Sequence, residues 1–215
     1  MSICYIVSAG KIEKAELLKV EKKAGDLVIC ADAGIKNAEK LGIKADVVVG
    51  DFDSSSMPDA DSYGGNITVH PAEKDETDTF LAMKTGYDMG YRKFVFLGAT
   101  GKRLDHTWAN VTLLKWLCKN GAGGEIRDEY VRVFMMMPPG GEIKRTDGYK
   151  LSLFPFDEAA ENIVLHGTKY HVEEKRLVND FPLGVSNEFE EDTVKIELEK
   201  GALLVMLATD GEEWS

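Results

Sequence analysis

The stretch "DVVVGDFDSS", residues 46–55, carries an apolar run into a glycine and two aspartates. Consecutive valines are typical of a strand that is buried on both faces. Asp51 and Asp53 are two residues apart, so in an extended segment their side chains point the same way. Two carboxylates so close repel each other by about 4 kcal/mol at an effective dielectric constant near 20, unless a positive group neutralises them. The stretch therefore predicts either a solvated turn or a cation site at the end of a strand.

Similar apolar runs alternate with helix-like segments through the first 120 residues. The strand-like runs are 3–10, 27–34, 46–53 and 93–100, and the helix-like segments are 12–25, 35–42, 75–90 and 104–121. This alternation predicts an α/β fold, a Rossmann-like parallel sheet with helices on both faces. Such sheets bind ligands beyond the carboxyl ends of their strands, so the segments that follow the four runs are expected along one rim.

The pattern changes after residue 122. The segment "MMMPPGGEI" (135–143) is typical of a turn or linker, and apolar residues then recur at two-residue intervals, at Val194, Ile196 and Leu198 and at Leu203, Val205 and Leu207. Two-residue alternation indicates antiparallel strands that are buried on one face. We therefore predict a Rossmann-like domain at 1–130 and a small antiparallel β-sandwich at 131–215.

Composition narrows the function classes. The formal net charge of −11 argues against a nucleic-acid partner, because phosphate contacts require clustered lysine and arginine. No apolar run approaches the roughly 18 residues of a membrane helix, and the N-terminus lacks the features of a signal peptide. The three cysteines, an odd number without metal-type spacing, are typical of reduced thiols. We expect a cytoplasmic protein without a membrane or nucleic-acid partner.

Three further motifs follow predicted strands. "CADAG" (30–34) supplies Asp32, "KDETD" (74–78) supplies acidic residues beside Lys74 at a helix start, and "GATGKRLDH" (98–106) combines glycines with Lys102 and Arg103. Each alone is explained as well by helix capping or by a simple turn. Glycines and basic side chains at a helix start also suit phosphate binding.

Together, the motifs place acidic clusters and one basic glycine turn along a single sheet edge. A rim with this many carboxylates would repel phosphates unless Mg²⁺ lay between the carboxylates and the phosphates. Oxygen atoms of carboxylates and phosphates are the ligands that Mg²⁺ prefers. We therefore interpret Asp51 and Asp53 as metal ligands, with Arg103 and Lys74 or Lys102 binding a polyphosphate.

In this order and spacing, "CADAG", "GDFDSS", "KDETDTFLA" and "GATGKRLDH" resemble the thiamine pyrophosphokinase family. "GTKYHV" (167–172) and "GVSNEF" (184–189) are similar to its thiamine-binding β-domain. The resemblance implies an enzyme that transfers diphosphate from ATP to the hydroxyethyl group of thiamine, giving thiamine diphosphate and AMP. It also implies Mg²⁺ as cofactor and a homodimer with thiamine sites at the subunit interface.

The resemblance also implies roles for individual residues. It places metal ligands at Asp51, Asp53 and Asp78, and thiamine contacts at Ser186 and Asn187. The implied catalytic residues are Asp51, Asp53, Asp78, Arg103 and Asp105, and the implied nucleotide contacts are Asp32, Lys74, Asp75, Thr77, Arg103 and His106. The sequence departs from animal members at Val205, where they carry a tryptophan that covers thiamine.

Two alternatives stay open on the residues alone. "VVVGDFDSS" also resembles the nucleophile strand of haloacid dehalogenase-like phosphatases, although that motif normally lies on the first strand. A binding module without catalysis is the second alternative, and such a protein would be expected to lack Arg103 or one carboxylate, all of which are present.

Overall fold

Strands and helices alternate through the first half of the protein, as the sequence predicts. The computed structural model describes residues 2–50, 63–69 and 76–210. The strands of this half are β1 (Cys4–Val7), β2 (Leu27–Ala31), β3 (Ala45–Gly50), β4 (Tyr63–Val69), β5 (Lys93–Leu97) and β6 (Gly123–Arg127). The helices are α1 (Ala15–Leu18), α2 (Ile35–Lys40), α3 (Asp78–Asp88) and α4 (Leu104–Lys119), and a single 3-10 turn, Asp32–Gly34, precedes α2.

These strands pair in parallel in the order β4-β3-β2-β1-β5-β6. The chain builds outward from β1 through β2, β3 and β4, and then returns to the other side of β1 with β5. The strand order therefore reverses between β1 and β5. A crevice opens at such a reversal, because the connections that leave the two strands run to different parts of the sheet.

The central strands are buried along their whole length. Every residue of β1 and β2 is buried, and Phe94 and Phe96 of β5 are among the largest fully buried side chains. Strands with such continuous burial have both sheet faces covered, which the apolar runs predict. The fold class expected from the sequence is confirmed for this half.

The helix predicted at 12–25 is wrong in extent, since α1 covers only Ala15–Leu18. Lys19 ends it in a left-handed conformation with φ of 44°. A continued helix would hold Lys22 on its own surface, but the Lys22 ammonium lies 2.7 Å from the Asp46 carboxylate of β3. Asp26 accepts hydrogen bonds from the backbone N–H groups of Ile3 and Lys23. These tertiary contacts replace the helical ones.

The chain divides into two units, Met1–Glu129 and Tyr130–Ser215. The second unit is built from antiparallel strands. They are β7 (Val131–Met136), β8 (Gly140–Lys144), β9 (Lys150–Pro155), β10 (Ala159–His166), β11 (Val172–Val178), β12 (Thr193–Glu197) and β13 (Leu203–Ala208).

Two sheets of the second unit share one core. One contains β7, β13 and β9, and the other has the order β11-β10-β12-β8. Val194 and Ile196 of β12 and Val205 and Leu207 of β13 are at most 1% exposed and belong to the same apolar cluster. The turn at Gly201 thus joins strands of different sheets, and the predicted β-sandwich is confirmed.

Glu129, the last residue of the first unit, is a buried carboxylate. It accepts hydrogen bonds from the backbone N–H groups of Glu13 (2.6 Å) and Lys14 (3.0 Å). Burial alone would raise the pKa of Glu129, but these donors outweigh it and the net shift is downward. Stabilisation from such a group is fully present above the unfolded-state pKa and is lost as the pH falls toward the folded-state pKa.

We therefore expect Glu129→Gln to lower the free energy of unfolding at pH 7 by on the order of 1 kcal/mol. The deficit against the wild type should shrink as the pH falls below about 4.3, the ordinary glutamate pKa. Urea denaturation between pH 3 and pH 7 measures both values. A deficit that stays constant over this range would show that the carboxylate charge contributes nothing.

Candidate active site

A cleft of about 630 Å³ opens in the first unit at the carboxyl ends of its strands. Its walls come from four segments, which are 8–11 after β1, 31–32 after β2, 77–79 at the start of α3, and 98–110 spanning the turn after β5 and the start of α4. The cleft therefore lies where the strand order reverses, the position expected of a ligand site in such a sheet.

The segments after β1 and β5 form the floor of the cleft by direct backbone contact. Ser8 donates its N–H to the carbonyl of Leu97, and Gly10 donates to that of Gly98, both at 2.8 Å. A Cβ atom added to Gly10 would lie 2.1 Å from the Thr100 carbonyl oxygen, and one added to Gly98 would lie 2.5 Å from that of Ser8. Gly98 also has a φ of 60°. Only glycine satisfies both constraints.

Asp32 enters the cleft from the end of β2. Its backbone φ of 47° lies in the left-handed region, which costs a non-glycine residue on the order of 1 kcal/mol. Gly50, the last residue of β3, packs against it, since an added Cβ would lie 3.2 Å from the Asp32 Cα. The fold thus holds a carboxylate in a costly conformation beside the cleft, and such placement is frequent at functional sites.

Asp78 and Thr77 reach the cleft from the start of α3. The Thr77 hydroxyl caps the helix, accepting the N–H of Phe80 at 3.2 Å, so Asp78 is a first-turn residue and not the cap. The Thr79 hydroxyl lies 3.0 Å from that of Ser8 and ties this helix to the segment after β1.

Arg103 also lines the cleft, immediately before α4. Its guanidinium binds the Asp105 carboxylate, with 2.9 Å between Nε and Oδ1. Hydrogen bonding from Arg103 holds the pKa of Asp105 far below its usual range. Asp105 lies inside the first turn of α4 and does not cap the helix. His106 lines the cleft, whereas Asp105 is absent from its lining.

The described residues thus bring five of the predicted site residues to one cleft: Asp32, Thr77, Asp78, Arg103 and His106. Asp51, Asp53, Lys74 and Asp75 lie outside the described residues. Among the described residues, no group of three or more His, Cys, Asp or Glu side chains is close enough to hold a metal ion. Two carboxylates do line the cleft, those of Asp32 and Asp78, and their oxygen chemistry fits Mg²⁺.

Sequence reasoning missed three residues of this site. Lys11 lines the cleft beside Lys102 and Arg103. Asn37 and Asn110 are buried, and Asn110 donates its amide to the Ala99 carbonyl at 2.7 Å. Lys11 had a signal, since it follows a glycine at the end of a predicted strand. The asparagines had a weaker one, a polar residue on an otherwise apolar helix face.

The two predicted thiamine contacts lie in the second unit, on the segment before β12. Ser186 is exposed and has a left-handed φ of 59°, and its N–H donates to the Ser152 hydroxyl. The Asn187 amide bonds to the N–H and the carbonyl of Tyr170 at 3.0 and 2.8 Å, so it joins two neighbouring segments. An apolar pocket of about 340 Å³ adjoins Asn187, Val185 and Tyr170.

Comparison with known proteins decides the family. The thiamin pyrophosphokinase catalytic domain matches residues 18–123, and the thiamin pyrophosphokinase vitamin B1 binding domain matches residues 142–203. The chain belongs to the thiamine pyrophosphokinase family.

Individual relatives agree with this assignment. Thiamine pyrophosphokinase of Bacillus subtilis (strain 168) is 27% identical over 188 residues, covering 86% of this chain and 88% of that protein. The crystal structure of thiamine pyrophosphokinase from Bacillus subtilis superposes with a TM-score of 0.82 at 25% identity, covering 98% of this chain and 100% of that one. Thiamin pyrophosphokinase from Candida albicans shares the fold, with a TM-score of 0.81 at 15% identity over 97% of this chain and 90% of that one.

The resemblance inferred from the motifs is therefore confirmed, as are the fold class and the assignment as an enzyme of this family. The family's general reaction is the transfer of diphosphate from ATP to thiamine. The roles of the individual site residues are predictions. No helix within the described residues is long and apolar enough to cross a membrane.

The contact between Gly98 and Ser8 can be tested with a matched pair of glycines. Gly42 has a similar φ of 67°, but an added Cβ would meet nothing within 4 Å. We expect Gly42→Ala to lose about 1 kcal/mol of stability, from backbone strain alone. Gly98→Ala should lose about 2–4 kcal/mol, because the clash adds to the strain.

Urea denaturation of both variants gives the comparison. Equal losses would mean that the turn after β5 has room for a side chain, contrary to the packing described above.

Proposed function

We propose that this chain is a Mg²⁺-dependent ATP:thiamine diphosphotransferase whose nucleotide binds in the cleft between the segments after β1 and β5. The observation that carries the proposal is the combination, in this one cleft, of two carboxylates with the basic side chains of Lys11, Lys102 and Arg103. A triphosphate needs cationic partners, and carboxylates beside it need a divalent ion to relieve repulsion.

Asp51, Asp53 and Asp78 are the proposed metal ligands, with Asp32 nearby. Asp51 follows directly in sequence on Gly50, which packs against Asp32. When bound, Mg²⁺ would neutralise phosphate oxygens and so allow an acidic rim to hold ATP. Lys74, Asp75, Thr77 and His106 are the proposed supporting nucleotide contacts.

The thiamine hydroxyl oxygen attacks the β-phosphorus of ATP, and the bond from that phosphorus to the oxygen shared with the α-phosphate breaks. AMP leaves with that oxygen, and the hydroxyl proton passes to a base. Arg103 stabilises the charge that develops on the phosphate oxygens, and in-line positioning supplies much of the remaining rate. Asp105 orients Arg103, because its carboxylate accepts a hydrogen bond from the guanidinium.

Thiamine is proposed to bind at Ser186 and Asn187, with a homodimer placing that site at the subunit interface. Several apolar side chains of the same unit are well exposed and suit burial against a partner, namely Tyr170, Phe181, Leu183 and Val185. Asn187 holds the segment that carries Ser186 through its bonds to Tyr170.

We also propose a cytoplasmic location. The cysteines Cys4 and Cys30 are buried free thiols. Burial raises the pKa of the Cys30 thiol to about 12, with smaller contributions from Asp46 and Glu39. Unpaired, unreactive thiols suit a reducing compartment.

Thiamine and Mg-ATP should yield AMP and thiamine diphosphate in equal amounts, because the β-phosphorus is attacked. Separation of the nucleotides and thiamine esters by ion-exchange chromatography gives the ratio. Reactions without thiamine and reactions with EDTA are the controls, and neither should form AMP. Release of ADP would indicate single-phosphoryl transfer, and release of inorganic phosphate alone would favour the phosphatase alternative.

Asp51→Asn and Asp53→Asn should each lower kcat by about 100-fold or more, because each removes a charge that holds the metal. Asp88→Asn is the matched control, since Asp88 pairs with Lys84 on the surface of α3 and should leave kcat unchanged. Circular dichroism checks that all three variants fold. Wild-type kcat in both Asp51→Asn and Asp53→Asn would remove these residues from the metal site.

A further inference from the structure

Asn37 on α2 joins the two backbone segments that form the floor of the cleft. Its side chain is almost fully buried, with 4% of the residue exposed. The amide nitrogen donates to the carbonyl oxygens of Ser8 and Gly10, each at 2.7 Å. Both amide hydrogens are therefore used on the segment that follows β1.

The same amide also limits the turn after β5. A Cβ atom added to Gly98 would lie 2.8 Å from the Asn37 amide nitrogen. Gly10, whose carbonyl Asn37 holds, donates its own N–H to Gly98. One buried side chain thus sets the position of the segment after β1 against the turn after β5.

Lys11 follows Gly10 directly in sequence, and it lines the cleft together with Lys102 and Arg103. Its ammonium pairs with Glu13, and both side chains are more than 60% exposed. An ion pair so exposed contributes little to stability, because water screens it and two long side chains must be ordered. A polyphosphate, with several charges and many acceptor oxygens, can therefore displace Glu13 from Lys11.

We propose that Lys11 binds the phosphates of the nucleotide and that Asn37 is the positioning residue that holds Lys11 at the cleft. The inference rests on the proposed function, because it takes the cleft to be the ATP site. It adds a cation that the sequence motifs did not include and a reason for a buried amide in α2.

A double-mutant cycle tests both parts. Lys11→Met should raise the KM for Mg-ATP by about tenfold, the loss of one charge-assisted contact, and leave the KM for thiamine unchanged. Asn37→Ala should raise the KM for Mg-ATP by a comparable factor, because Lys11 is no longer held. The KM for Mg-ATP of the double variant should be no higher than that of the poorer single variant. If Asn37 acts only by positioning Lys11, its loss has no further effect once the Lys11 ammonium is absent.

Lys36→Met is the matched control, because Lys36 is an exposed lysine of α2 outside the cleft lining and should keep the wild-type KM. Thermal denaturation shows whether Asn37→Ala folds. If Asn37→Ala does not fold, Asn37→Ser takes its place in the cycle. Calorimetric binding of α,β-methylene-ATP, which cannot be cleaved at the scissile position, reports affinity without turnover.

The outcomes separate this inference from the proposed function. An active wild type with an unchanged KM for Mg-ATP in Lys11→Met would overturn the inference and leave the proposed function intact. Strictly multiplied effects in the double variant would overturn the positioning role of Asn37. A wild type that forms no thiamine diphosphate would refute the proposed function, and binding of α,β-methylene-ATP would then still decide the role of Lys11.

Discussion

The segments after β1 and β5 approach so closely that their backbones exclude any side chain between them. Gly10 donates its backbone N–H to the Gly98 carbonyl, and an added Cβ at either position would lie within 2.5 Å of a carbonyl oxygen. This contact exists because β1 and β5 are parallel neighbours at the point where the strand order reverses. This contact positions the polar residues around the cleft. Asn37 bonds to the segment after β1. Arg103 belongs to the segment after β5.

The contact between these two segments also determines where charged side chains lie around the cleft. Lys11 and Arg103 each hold an exposed carboxylate two residues along the chain, Glu13 and Asp105. These local pairs keep the cations near the cleft and cost little to exchange for an incoming phosphate. Asp32 lines the same cleft and is held in a left-handed conformation. The cleft is lined by both cations and carboxylates, which is the combination that the proposed binding of a metal-bound polyphosphate requires, and the chain's net charge of −11 disfavours a free anion.

Much of this could be predicted from the sequence because the determining patterns are local. Continuous apolar runs gave the parallel strands, helical spacing gave α3 and α4, and the motifs that follow the strands gave most of the cleft. The strand β6 was missed because its first two residues are glycines. At Gly124 an added Cβ would lie 2.7 Å from the Leu117 side chain, which would have to move. The helix at 12–25 was overestimated because the ion pair of Lys22 with Asp46 depends on residues far apart in sequence.

The residues that sequence reasoning missed act through the fold as a whole. Asn37 binds carbonyls nearly thirty positions earlier in the chain, and periodicity carries no information on such contacts. Alternation along β12 showed which of its side chains face the core, but it did not show which strands pair, so the assignment of β12 and β13 to different sheets required the structure. Local pattern thus predicted what the cleft is made of, and tertiary packing determined how it is held.

A crystal structure with Mg²⁺, α,β-methylene-ATP and thiamine tests the central claim most directly. The triphosphate should lie between residues 8–11 and 98–103, with the Lys11 and Arg103 side chains on its oxygens and the metal bound to aspartate carboxylates. A nucleotide bound away from this junction, with no metal at those carboxylates, would contradict the account.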